Sequence, residues 1–138
     1  MPQLNAYLSF DGRCAEAMRF YAQALDARIE TLLTVRQSPM AADSPPEVQD
    51  QVMHAYLVGP GFSLMAGDAM GMPWQGVHGV AMTLNYDTVD EATRRFAALA
   101  EGGTVTMPLA ESFWAQTFGM LTDRFGVPWI VNGGMKPF

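Results

Sequence analysis

The sequence predicts an α+β fold made of two βαβββ modules, and three observations predict it. A helical phrase occurs twice: residues 16–22 read Glu-Ala-Met-Arg-Phe-Tyr-Ala, and residues 91–97 read Glu-Ala-Thr-Arg-Arg-Phe-Ala. Glu16/Glu91, Ala17/Ala92, Arg19/Arg94, Tyr21/Phe96 and Ala22/Ala97 are identical or both aromatic. One strand candidate precedes each phrase, and three follow it. The modules are placed at residues 1–70 and 77–134 of a single domain, 1–138.

Each element has its own signal. Leu4, Ala6, Leu8 and Phe10 alternate with more polar neighbours, as a half-buried strand requires. Ala17, Phe20, Tyr21, Ala24 and Leu25 then share one helical face. Strands are expected near 28–35, 52–58 and 62–67, the last two joined by the turn Gly59-Pro60-Gly61. Residues 37–51 break the pattern with three prolines and no Lys or Arg, and read as an excursion between strands.

The second module repeats this order. Val80, Met82, Leu84 and Tyr86 alternate, with Leu84 and Tyr86 corresponding to Leu8 and Phe10. Thr88 followed by Glu91 is a capping-box signal for a helix whose face is Val89, Ala92, Phe96 and Leu99, and Gly102-Gly103 stops it. Strands follow near 104–109, 117–122 and 128–132, with Asp123-Arg124-Phe125-Gly126 as a tight turn. One helix covers only one face of a four-stranded sheet. Two such units can form an open half-barrel with a concave, ligand-sized interior.

Composition bounds the function. Apolar residues make up 49% and charged residues 16%, too apolar for disorder, while no run reaches the ~18 apolar residues of a membrane-spanning helix. Net charge is −6, which repels nucleic acid and anionic lipid, so neither is expected as a partner. Cys14 is the one cysteine, which excludes an internal disulfide framework and any cysteine-based zinc site. The first basic residue is Arg13, so the start lacks a charged secretory leader, and a cytoplasmic protein is expected.

Several blocks resemble a known family. Phe10-Asp11-Gly12-Arg13-Cys14-Ala15-Glu16-Ala17 leads into Phe20-Tyr21, and Met53-His54-Ala55 leads to Leu64-Met65 and Asp68. Later come Phe113-Trp114, Phe118-Gly119, Leu121-Thr122-Asp123-Arg124-Phe125-Gly126-Val127 and Trp129. Together they resemble the PhnB-like branch, sometimes labelled after demethylubiquinone methyltransferase, of the vicinal oxygen chelate superfamily. That superfamily includes glyoxalases, extradiol dioxygenases and bleomycin-resistance proteins. Ala115 departs from the glycine usual after Phe-Trp, which is expected to alter a turn and not the fold. The resemblance implies the glyoxalase/bleomycin-resistance/dioxygenase fold and, in metal-dependent members, one divalent ion. Its ligands come from the first and last strands of each module, where a vicinal pair of substrate oxygens chelates the ion.

Carried over, those ligand positions fall on Ala6 and Ile130, which cannot coordinate, and on Gly79, with His78 one residue away. The last strand of the first module has Leu64, Met65 and Ala66 there, and Asp68 at its end. No metal and no other cofactor is therefore expected.

Other chemistry is thin. His54 lacks a partner acid nearby in sequence and reads as a core or pocket histidine before a catalytic base. Cys14 at a helix start has a dipole that lowers a thiol pKa, yet no adjacent base, so it reads as a small buried residue. The eleven methionines suit core gaps and an adaptable pocket lining. Asn5 and Tyr7 on the first strand, His54, Trp74, Trp114 and Phe118 are the candidates for lining a pocket, chosen by polarity, aromaticity and strand position. Trp129 reads as core.

Three functional classes stay open: a metal-free small-molecule binder, an enzyme, and a protein acting through partners from a lost site. The enzyme would be metal-dependent with displaced ligands or metal-free with His54 or an acid as base. A methyl-donor site is not legible, because no glycine-rich nucleotide turn is present. A small-molecule ligand and a homodimer are expected, the latter because such sheets leave apolar edges and faces, with Phe113 and Trp114 near the interface or groove.

Overall fold

In the computed structural model, which describes residues 2–137, the chain divides after Gly76 into two units. The first contains β1 (Tyr7–Phe10), α1 (Cys14–Ala24), β2 (Arg28–Thr34), β3 (Val52–Gly59) and β4 (Phe62–Asp68). Its sheet order is β1-β4-β3-β2, with β1 parallel to β4 and the other pairs antiparallel. The second contains β5 (Met82–Tyr86), α2 (Val89–Ala100), β6 (Thr104–Ala110), β7 (Ala115–Thr122) and β8 (Pro128–Met135). Its order is β5-β8-β7-β6, with β5 parallel to β8 and the rest antiparallel. Both units therefore read βαβββ.

Register sorts the side chains of the first sheet. Leu8 pairs with Ala66, Ala66 with Ala55, and Leu64 with Leu57, and all are buried on one face. α1 packs across β2, β3 and β4, burying Ala17, Met18, Tyr21 and Ala24. Each large apolar side chain sealed here stabilises the unit by about 1.5–3 kcal/mol. The opposite, open face carries Tyr7, Ser9, Met65, Gly67, His54 and Tyr56, none of them needed by the helix.

Two acids act as structural anchors. No side chain at Arg13 caps α1; Asp68 does, its Oδ1 accepting from the Cys14 N–H at 3.0 Å. Its Oδ2 accepts from the Val52 N–H at 2.8 Å, tying β3 to the end of β4. In the second unit Asp123 Oδ1 accepts from the Phe125 and Val127 N–H groups at 2.8 and 3.0 Å, and Oδ2 from Trp129 Nε1 at 2.8 Å. That closes the expected turn and fixes Trp129 in the core.

α2 starts as expected, with Thr88 Oγ1 accepting from the Glu91 N–H at 3.2 Å. Ala92, Phe96 and Leu99 form its buried face. The helix presses so closely on β8 that a Cβ on Gly133 would lie 2.6 Å from Ala92 Cβ and 2.9 Å from the Thr88 carbonyl oxygen.

Some boundaries differ from the sequence expectation. Leu4 is 99% exposed and precedes β1, which begins at Tyr7; Val80 is 57% exposed and precedes β5. In the first case the ladder's last bond runs from the Met65 N–H to the Ala6 carbonyl at 3.0 Å, and before it Asn5 Oδ1 accepts from Ser63 Oγ at 3.0 Å. β7 starts two residues earlier than expected, at Ala115, and β8 runs on to Met135. On α1 the buried face takes Met18, and Phe20 is half-buried. Residues 37–51 contain two short 3-10 turns, 41–43 and 46–48.

Candidate functional site

The six pocket candidates fall into two groups, four in the first unit and two in the second. Tyr7 on β1 lies across Gly67, where a Cβ would stand 2.4 Å from the phenol oxygen. Glycine at 67 is thus what lets the ring reach β3. The Tyr7 hydroxyl donates to the Met53 carbonyl at 3.2 Å, and the ring stacks beside His54, centroids 6.4 Å apart and planes 23° apart. Burial raises the Tyr7 pKa, helped by the Cys14 thiol where it ionises and by the Asp68 charge. Tyr7 is therefore a neutral phenol with its proton already engaged. Asn5 joins the same side of the sheet through Ser63.

Trp74 is placed differently. Its Nε1 donates to the Ser9 carbonyl at 2.8 Å. β1 pairs only with β4, so this carbonyl faces the free edge, and the indole covers that edge. Trp74 is thus tied to the edge strand through its indole N–H.

The second unit gathers its residues more tightly. Trp114 meets Phe118 edge-to-face with centroids 4.8 Å apart, and Phe113 meets Trp114 at the same distance. Trp114 Nε1 donates to Asn132 Oδ1 at 3.0 Å, and Asn132 Nδ2 donates to Asn85 Oδ1 at 2.9 Å. Phe118, Asn132 and Asn85 are register partners on β7, β8 and β5, on the face away from α2. An indole can only donate, so its bond fixes which way the Asn132 amide points, and Asn132 in turn fixes Asn85. The chain of three therefore ends with Asn85 Nδ2 turned outward at an exposed position. It offers N–H donors on the same sheet face as Phe118, across Asn132 from the aromatic rings, a surface for a flat molecule with an oxygen acceptor.

Sequence reasoning missed Asn85 and Asn132. Amides in mid-strand, at matching places in the first and last strands of the second module, were the available signal.

The positions where a superfamily-type ion would sit can be read from the register. Ala6 precedes β1, and His78 and Gly79 precede β5, so none lies in the strand once expected to carry it. The open-face pairs are Tyr7 with Met65 and Ser9 with Gly67 in the first unit, and Thr83 with Ile130 and Asn85 with Asn132 in the second. Asp68 sits on the helix face with both oxygens engaged by N–H donors. None of these pairs supplies a carboxylate or imidazole, so the donor set does not fit a divalent ion. Among the described residues no three His, Cys, Asp or Glu side chains stand together.

Cys14 is fully buried, as expected, but its thiol moves opposite to a helix-start effect. Burial and the Asp68 charge push its pKa up to about 12. It is a protonated packing residue and no nucleophile.

The family model described as 3-demethylubiquinone-9 3-methyltransferase matches residues 2–132. Protein YjdN of Escherichia coli (strain K12) is 33% identical over 137 residues, covering 94% of this chain and 93% of its own. The crystal structure of protein PA1353 from Pseudomonas aeruginosa is 46% identical with a TM-score of 0.88, covering 96% of this chain and 98% of that one. A glyoxylase/bleomycin resistance protein/dioxygenase domain from Frankia sp. EAN1pec shares the fold at 14% identity and a TM-score of 0.72, over 100% of this chain and 95% of that one.

Proposed function

This chain belongs to the 3-demethylubiquinone-9 3-methyltransferase family, whose fold is that of the glyoxalase/bleomycin-resistance/dioxygenase proteins, and on that premise we propose that it binds a flat small molecule without a metal. The observation that carries the reading is the Trp114–Asn132–Asn85 chain on the open face of the second sheet. Stacking against Trp114, Phe113 and Phe118 supplies affinity, and the Asn85 N–H groups supply orientation toward a carbonyl oxygen. A quinone, the class that the family's description names, meets both demands. Tyr7 and His54 offer a second aromatic surface on the first unit, with Asn5 beside them and Trp74 at the strand edge.

Methyl transfer is not part of this proposal. Neither unit has the doubly wound sheet and glycine-rich turn that a nucleotide methyl donor commonly uses. The proposal also makes the protein a cytoplasmic homodimer, supported by exposed apolar side chains such as Phe113 (72%) and Met135 (51%) and by its one thiol being free and buried. No helix among the described residues is long and apolar enough to cross a membrane.

The test is calorimetric titration with tetramethyl-1,4-benzoquinone, alongside elemental analysis of the purified protein. Saturable binding is expected in the wild type and a loss of at least about tenfold in Trp114→Ala, which equals about 1.4 kcal/mol. Stoichiometric zinc, nickel or iron that survives chelator dialysis and is lost on changing His54 or His78 would replace this reading with a metal enzyme.

A further inference from the structure

We infer that the segment between β2 and β3 roofs a second binding site, one that takes an uncharged aromatic molecule independently of the face around Trp114. Several of the segment's polar side chains are bonded within it, although Gln51 Oε1 is buried without a partner. Gln49 Nε2 donates to the Ala41 and Ser44 carbonyls at 2.8 and 2.9 Å, Ser38 Oγ to the Val35 carbonyl at 2.7 Å, and Ser44 Oγ to the Met40 carbonyl at 2.8 Å. Its apolar side chains are left to line the space beneath while staying partly in contact with solvent, Met40 being 55% exposed. Met40, Pro45 and Val48 stand beside Val35, Met53 and Met70 around a partly open cavity of about 240 Å³.

Two irregularities deliver Met53 and Met70 to this space. Leu33 pairs with His54 and Thr34 with Val52, so Met53 is the extra residue of a β-bulge, a device that re-aims a side chain. Met70 holds φ at +52°, a left-handed conformation uncommon outside glycine and found disproportionately at functional sites. A segment needing only to connect two strands could fill such a space with one larger side chain. Here three thioethers are brought together and the volume is kept.

The lining states the ligand's chemistry. It holds no charged side chain, which excludes ions and zwitterions. Water gains little from walls with so few polar partners. Thioethers favour aromatic rings and adapt to their outline. Ser44 Oγ has spent its proton on Met40 but keeps acceptor capacity, so one N–H or O–H on the ligand can be met. An apolar cavity of roughly 150 Å³ takes a benzene, so this one suits on the order of ten non-hydrogen atoms.

Indole fits that description and is the probe. The full-length protein, labelled at its methionine ε-methyl groups, is titrated with indole and followed by NMR. The expected result is saturable movement of the Met40, Met53 and Met70 signals, unchanged in Trp114→Ala. Val48→Trp, which fills the space, is expected to weaken binding at least about tenfold, and Pro45→Phe does the same should the first variant not fold. Absence of saturable movement of those three signals overturns the proposal. So does retained affinity in a folded, filled variant, or movement that disappears in Trp114→Ala. Because Trp114 is left intact in the filled variants and the cavity is intact in Trp114→Ala, failure here is distinguishable from failure of the quinone reading.

Discussion

Replacing Asp68 by alanine removes the acceptor of two N–H groups separated by 38 residues in the chain, Cys14 at the start of α1 and Val52 at the start of β3. Both bonds are buried, at 3.0 and 2.8 Å, and both end on a carboxylate. A hydrogen bond to a charged group contributes about 1.5–3 kcal/mol, and no water takes its place when such a site is sealed. Asp68→Ala is therefore expected to cost about 3–6 kcal/mol, a large part of the roughly 5–15 kcal/mol that holds a domain together. Asp68→Asn keeps one acceptor oxygen but sets an N–H₂ against the other donor, so about half that loss is expected. Urea unfolding followed by circular dichroism reads both, as a lower midpoint with the slope unchanged. A loss under about 1 kcal/mol in Asp68→Ala would refute the anchoring role. So would a variant of full stability that had shed a bound metal, which would return Asp68 to the ligand set.

Stability is expected to fall as pH rises from about 9 toward 12, the window between the ordinary and folded pKa of Cys14. The unfolded chain loses the thiol proton first, so it holds fewer protons than the folded one and gains with rising pH; Tyr7 and Tyr86, also raised chiefly by burial, add the same sign. Cys14→Ala should flatten the alkaline slope, and an unchanged slope would contradict the assignment. Gly133→Ala is expected to cost about 1–3 kcal/mol by overpacking against Ala92, measured by thermal unfolding. Light scattering is expected to give twice the 15.1 kDa chain mass, and a monomer mass across micromolar concentrations would refute the homodimer.

The elements were legible because their signals are local. Alternation marked the strands and the repeated helical phrase marked the helices, down to Thr88 as a cap. Strand ends were less legible, since Leu4 and Val80 continue an alternation past the first paired residues, Tyr7 and Met82. Faces were harder still. A one-residue shift reverses which side a residue takes, so positions counted along the chain reached the open face at Ile130 and Met65 but fell before the strands at Ala6 and Gly79. Asp68 looked like a stranded acid because its partners, Cys14 and Val52, are 54 and 16 residues away. Burial, with the same carboxylate, reversed the sign expected for the Cys14 thiol. Trp114 and Phe118 were chosen as aromatics, but the amides that orient them lie on other strands, and only the register of β5, β7 and β8 brings them together.

The side-chain amide signals of Asn85 test the central claim most directly. In ¹⁵N-labelled protein titrated with tetramethyl-1,4-benzoquinone, the Asn85 Nδ2 protons are expected to shift saturably as they take a carbonyl oxygen, with the indole N–H of Trp114 moving in step. Asn85→Ala should weaken binding at least about tenfold while leaving metal content unchanged. Saturable binding that leaves the Asn85 amide unmoved, or that is abolished by chelator, would contradict the account.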